Sequence, residues 1–139
     1  MNKLMLLVLV FAFGMACDTE EATPTAPVND TFMTDKATLV RTGSIMGVNH
    51  TVSGTASLYV LDGQYTLVLD PFQSQNGPDL KVYLSKDVGA SSFVRLGNLK
   101  STSGKQSYTI SGSVQVNEYP YFHVWCEQFS VEFARAELK

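Results

Sequence analysis

The chain has 139 residues, a formal net charge of −3 and 45% hydrophobic residues. That length carries one ordinary domain beyond an N-terminal segment. A mildly acidic chain without a Lys/Arg cluster, and without basic residues interleaved among aromatic ones, is a poor polyanion binder, which excludes nucleic acid as a partner.

The N-terminus, MNKLMLLVLVFAFGMAC, places Lys3 ahead of an apolar run from Leu4 to Phe13 and then small residues before Cys17. This is the charge order of a secretory signal. The run is about ten residues long, short of the roughly 20 that a helix needs to cross a bilayer. Residues 1–16 are therefore predicted to be a signal peptide. Gly14-Met15-Ala16-Cys17 resembles a bacterial lipobox, although a branched aliphatic residue is usual where Gly14 stands. That reading makes Cys17 the lipidated first residue of the mature protein, with palmitate among its acyl chains. Each buried methylene adds roughly 0.8 kcal/mol, so the membrane anchor would be permanent. The alternative is an ordinary signal cleaved near Ala16 that leaves Cys17 free. The following DTEEATPTAPVND is rich in Thr, Pro and acids, so residues 17–35 are expected to form a disordered tether, with a β domain over 36–139. Asp18, Glu20 and Glu21 resemble the surface-export signals of some lipoproteins. The expected location is the cell envelope, lipid-anchored, periplasmic or surface-exposed.

Beyond the tether, ATLVRTG reads as at most a turn of helix. In TASLYVLDGQYTLVLDPF polarity alternates around Asp62-Gly63, a dipeptide suited to the positive φ angles of a tight hairpin. Further short runs follow: DLKVYLS, FVRLGNL, QSYTISG, YPYFHVWC and FSVEFARAEL. No segment sustains apolar residues at helical spacing. The pattern predicts an all-β, antiparallel β-sandwich or barrel-like fold in a single domain. Strand alternation puts Tyr121, His123 and Trp125 on one face, with Phe122, Val124 and Cys126 on the other. In the last run it puts Phe129, Val131 and Phe133 opposite Ser130, Glu132 and Ala134.

With Cys17 assigned to lipid, Cys126 has no intrachain partner. A lone thiol in an exported protein is either a reactive group or a small core hydrophobe. Neither Trp125 nor Glu127 beside it would favour a thiolate. His123 should point away from Cys126, which argues against a His-x-x-Cys metal pair. The Gln75–Asp79 loop lacks calcium-ligand spacing and reads as turn chemistry. Tyr119, Tyr121 and Trp125 are better core residues than a sugar platform. There is no Gly-x-Ser-x-Gly elbow, no phosphate loop, and no acid near either histidine in sequence to support a triad.

The segments VWCEQFSVEFARAEL, NGPDLKVYLS with LGNLKSTSGKQSYTI, and HTVSGTASLY together resemble the DM13 domain family over roughly Gly43 to Leu138. The resemblance implies an extracytoplasmic β domain taking part in electron transfer. The family's characteristic cysteine falls on Cys126, which the resemblance makes a redox thiol or a ligand to a prosthetic group such as haem. His50 matches an early histidine of the family and would be a co-ligand. No metal site is expected from these two residues alone, since a closed zinc site takes four ligands. There is no Cys-x-x-Cys-His or Cys-x-x-Cys motif and no companion redox domain, so an external redox partner protein is implied. The competing reading is a non-catalytic binding or structural envelope lipoprotein with a buried cysteine.

Overall fold

A computed structural model describes residues 22–139, so the predicted signal peptide and Cys17 lie outside the described residues. Nine strands form: β1 (Val28–Asn29), β2 (Thr38–Gly47), β3 (Val52–Leu61), β4 (Gln64–Ser74), β5 (Leu80–Ser85), β6 (Phe93–Asn98), β7 (Gly104–Thr109), β8 (Tyr121–Cys126) and β9 (Val131–Glu137). One short 3₁₀ turn covers Val116–Glu118. The strands make a single sheet in the order β1-β7-β4-β3-β2-β9-β8-β5-β6, antiparallel except where β1 runs parallel to β7. The sheet curls into a half-barrel, so the barrel-like form of the expected fold is the one adopted.

Curling turns one face of every long strand towards one core. Leu58, Leu67, Leu69, Val82, Leu84, Phe122 and Val124 are all within that cluster and almost wholly shielded from water. Burying each such Leu or Phe contributes roughly 1.5–3 kcal/mol, enough for the inner face to dictate register. The β3–β4 hairpin forms as its turn chemistry predicts, with Asp62 at φ 49° and Gly63 at φ 78°.

Three features differ from the sequence expectations. The ATLVRTG segment is not helical: it lies mostly within β2, ten residues paired with β3. Ile45 is that strand's only fully buried side chain, so backbone pairing rather than a buried stripe holds it in place. In β9 the simple alternation breaks, because Val124 opposes Ala134 while Trp125 opposes Glu132, leaving Phe133 as an extra bulged residue. Phe133 and Ala134 are both buried, and Phe129 and Val131 are exposed. Finally, residues 22–35, which composition assigns to the tether, run along the sheet. The Val28 and Asp30 amides donate to the Ser103 and Lys105 carbonyls at 3.1 and 3.0 Å. Gly104 permits this approach: its φ is +98°, and a Cβ there would stand 2.0 Å from the Val28 carbonyl oxygen.

Candidate functional site: a sealed thiol and the aromatic face behind it

The connections 47–52, 74–80 and 126–131 gather at one end of the half-barrel, where Cys126 closes β8. Its neighbours across the ladders are Leu80 and Val131. Cys126 points into the core, is only 1% exposed, and forms no disulfide. Its S–H donates to the Pro78 carbonyl at 3.0 Å. That carbonyl belongs to a loop held from both sides. Gln75 N–H donates to Thr51 O at 2.8 Å, and Thr51 N–H donates to Gln75 Oε1 at 3.1 Å. On the other side the Thr23 hydroxyl donates to Gly77 O at 3.2 Å, Asn76 Nδ2 donates to Thr23 O at 3.1 Å, and Ala22 bridges Pro78. The thiol thus lies under a loop that is itself strapped by the incoming chain.

His50 lies at the same end but does not meet Cys126. Its ring stacks on Phe133, with centroids 3.6 Å apart and planes 14° from parallel. Its Nδ1 lies 2.8 Å from the Val48 carbonyl, which can only accept, so that nitrogen carries the proton. Phe133 then wedges against Gly77, where an added Cβ would come within 2.5 Å of its ring. Phe133 and the Gln75–Asp79 loop therefore stand between the two residues expected to share a ligand. A cavity of about 360 Å³ opens beside the strap and is lined by Ala22, Thr23, Asp79 and Leu80, and a second of about 350 Å³ is lined by Asp30 to Met33; neither is lined by Cys126 or His50. A thiol engaged with a carbonyl in a packed core, and an imidazole lying face to face with a phenyl ring, do not fit a shared haem. Among the described residues no group of three or more His, Cys, Asp or Glu side chains is arranged to hold a metal.

Opposite Cys126, the outer face of β8 carries a polar chain that sequence spacing does not reveal. His123 Nε2 lies 2.7 Å from Ser85 Oγ, and its Nδ1 lies 2.9 Å from Glu132 Oε1. Arg135 also holds Glu132, at 3.0 Å. An acid is therefore paired with His123 after all, supplied across the sheet by β9. The row has the order of a hydrolytic triad without its access. Ser85 and His123 are fully buried, and Ser85 Oγ lies 2.6 Å from the Asp87 carbonyl in the connection to β6. Burial pushes the His123 imidazole below its ordinary range, opposed by Glu132, so the neutral ring is favoured.

Beside this row the same face builds an aromatic stack. Tyr83, 4% exposed, lies between Phe93 on β6 and Trp125 on β8, at centroid distances of 4.2 and 6.1 Å. The two flanking rings lie within 17° of parallel to Tyr83. Trp125 is half-buried and Phe93 is exposed. The Tyr83 hydroxyl donates to Glu127 Oε1 at 2.5 Å, and Arg95 pairs with that same oxygen at 2.5 Å. Burial and the neighbouring Glu127 carboxylate push the phenol up to about 12. Alternation along DLKVYLS and YFHVWC signals the shared face of Tyr83 and Trp125, but not the carboxylate that Glu127 brings back from the β8–β9 turn.

The fold and this end of the molecule define a curled antiparallel β domain with one sealed internal thiol backed by an aromatic outer face. Residues 45–138 match a family model described as Electron transfer DM13. The chain belongs to the DM13 family. No curated protein and no solved structure gives a significant match.

Two outcomes follow. Cys126 should resist a small maleimide in the native protein and react fully once denatured; quantitative native labelling, read by mass spectrometry, would show that the loop does not seal it. His123 makes stability depend on pH. Its folded pKa lies below the unfolded value of 6.5, so the unfolded chain binds the extra proton first as pH falls. Stability from this source is complete above pH 6.5 and is lost between there and the depressed folded value. His123 is faced by Ser85, Asp87, Glu132 and Arg135, and His123→Gln keeps hydrogen-bonding groups among them without the titration. Thermal melts should show a flatter pH slope in this window for His123→Gln than for the native chain; an equal slope would assign the effect elsewhere.

Proposed function

We propose that this chain is a membrane-anchored accessory electron-transfer module of the cell envelope, held by lipid on Cys17 and serving an external redox partner protein. Membership of an electron-transfer family supports the redox part. The lipobox-like Gly14–Cys17 and the signal-like residues before it support the anchor.

The observation that carries the mechanism is the seal over Cys126. Thiol–disulfide exchange requires a thiolate to reach a sulfur atom of its partner. At 1% exposure, with its proton directed at the Pro78 carbonyl, this sulfur reaches none. Electron transfer therefore does not run by exchange at Cys126, and the partly exposed Trp125 on the opposite face of β8 is the route by which electrons leave the domain. The same seal favours one competing reading, a non-catalytic envelope lipoprotein in which Cys126 is a small core residue.

A stoichiometric titration with one-electron mediators separates the two. The module gives up one electron per chain to an oxidising mediator and takes it back on reduction, whereas a structural lipoprotein exchanges none, and that null result would discard the redox reading. The anchor has its own test: Cys17→Ala should abolish incorporation of labelled palmitate and release the protein from the membrane fraction. Unchanged fractionation would remove the lipid from the scheme.

A further inference from the structure

Resting on the electron-transfer reading above, we propose that Tyr83, not Cys126, is the group that carries the oxidising equivalent, with Glu127 as its proton acceptor and Trp125 as the port to the partner.

The argument turns on where a proton can go. Removing one electron from a neutral thiol or phenol leaves a strongly acidic radical cation, so the oxidation proceeds easily only where a base already holds the hydrogen bond. Cys126 directs its S–H at a peptide carbonyl, which does not accept a proton, and it is closed to water. Tyr83 directs its O–H at the carboxylate of Glu127 across 2.5 Å. Tyr108, the other tyrosine whose hydroxyl donates to a side chain among the described residues, donates to the amide oxygen of Gln106 and accepts from the Lys100 N–H, so it has no base. Tyr83 alone of the three has both a buried ring and a base.

The step balances as follows. The phenol O–H bond breaks, one electron leaves for a one-electron acceptor on the partner, and the proton moves to Glu127 Oε1. The products are a neutral phenoxyl radical and a neutral carboxylic acid, with the Arg95 cation still beside them. Reduction by one electron from a donor returns the proton to the phenol oxygen. Tyr83 itself is too buried to touch a partner. Trp125 stacks beside it and is partly open, and an indole gives up an electron far more readily than the phenyl ring of Phe93. The electron therefore leaves from the Trp125 edge, and Tyr83 refills the indole.

The test is flash oxidation of the full-length detergent-solubilised protein by photogenerated ruthenium(III) tris-bipyridine, followed by transient absorbance and by spin resonance of freeze-trapped samples. The native chain should give a tyrosyl spectrum, and Tyr83→Phe, which keeps the ring stack, should lose it while retaining the native thermal melt. Glu127→Gln removes the acceptor and should slow radical formation by roughly a hundredfold, the scale of one positioned proton transfer. Trp125→Phe should slow formation without changing the final spectrum. Cys126→Ser should leave both unchanged. A tyrosyl signal that survives Tyr83→Phe, or that disappears in Cys126→Ser, would overturn the assignment to Tyr83 and leave the electron-transfer reading standing. An unaltered rate in Glu127→Gln would overturn the proton acceptor. A native chain that forms no radical here and exchanges no electron with mediators would remove both readings together.

Discussion

The two-residue repeat of β8 is the constraint on which the rest of this structure depends. Flanked by β5 and β9, Tyr121–Cys126 has to give one face to the core and the other to the outside. Phe122, Val124 and Cys126 go inwards, and His123 and Trp125 go outwards. Adjacent residues of one strand are thereby placed in two different chemical environments. Cys126 lies in the hydrophobic core and donates to a backbone carbonyl, while His123 and the Trp125–Tyr83 stack lie among carboxylates and guanidinium groups. One peptide unit separates the sealed thiol from the aromatic face.

That arrangement changes what Cys126 means for chemistry in this chain. A thiol works as a nucleophile or metal ligand through its accessible thiolate, and neither access nor a proton acceptor is present at Cys126. Around β8 the polar groups that can move protons lie on the face opposite Cys126: Ser85, His123, Glu132, and the pair of Tyr83 with Glu127. Burial sharpens them, because a hydrogen bond in a low-dielectric setting is electrostatically stronger than one in water. The family's electron-transfer role is thus easier to reconcile with the outside of β8 than with its inside.

Much of this was legible in the sequence, for physical reasons that can be traced residue by residue. Asp62-Gly63 specifies its hairpin because both central positions need positive φ, and the alternation of YFHVWC separates His123 from Cys126 without any coordinates. β2 was illegible because its pattern follows no buried stripe; only Ile45 is fully enclosed, and the ladder to β3 holds the rest. The bulge at Phe133 was illegible because a register shift is a property of two strands, and it separates buried Phe133 from Phe129 and Val131, which alternation puts on its face. For the same reason the partners of the site stayed hidden. Ser85 is 38 residues from His123 and Glu127 is 44 from Tyr83, so only the sheet brings them together. Even Glu132, nine residues from His123, meets it through cross-strand pairing.

Under the lipid anchor proposed on Cys17, the strap formed by Ala22 and Thr23 over Gly77 and Pro78 would have a further consequence. Five peptide steps join Cys17 to Ala22, a contour of about 17 Å at full extension. With the chain fastened at Ala22, such a leash would be too short for the domain to turn its Pro78 end far from the bilayer. The domain would hover close to the lipid headgroups with a preferred side down, and its encounters with a partner would become a search across a surface rather than through a volume.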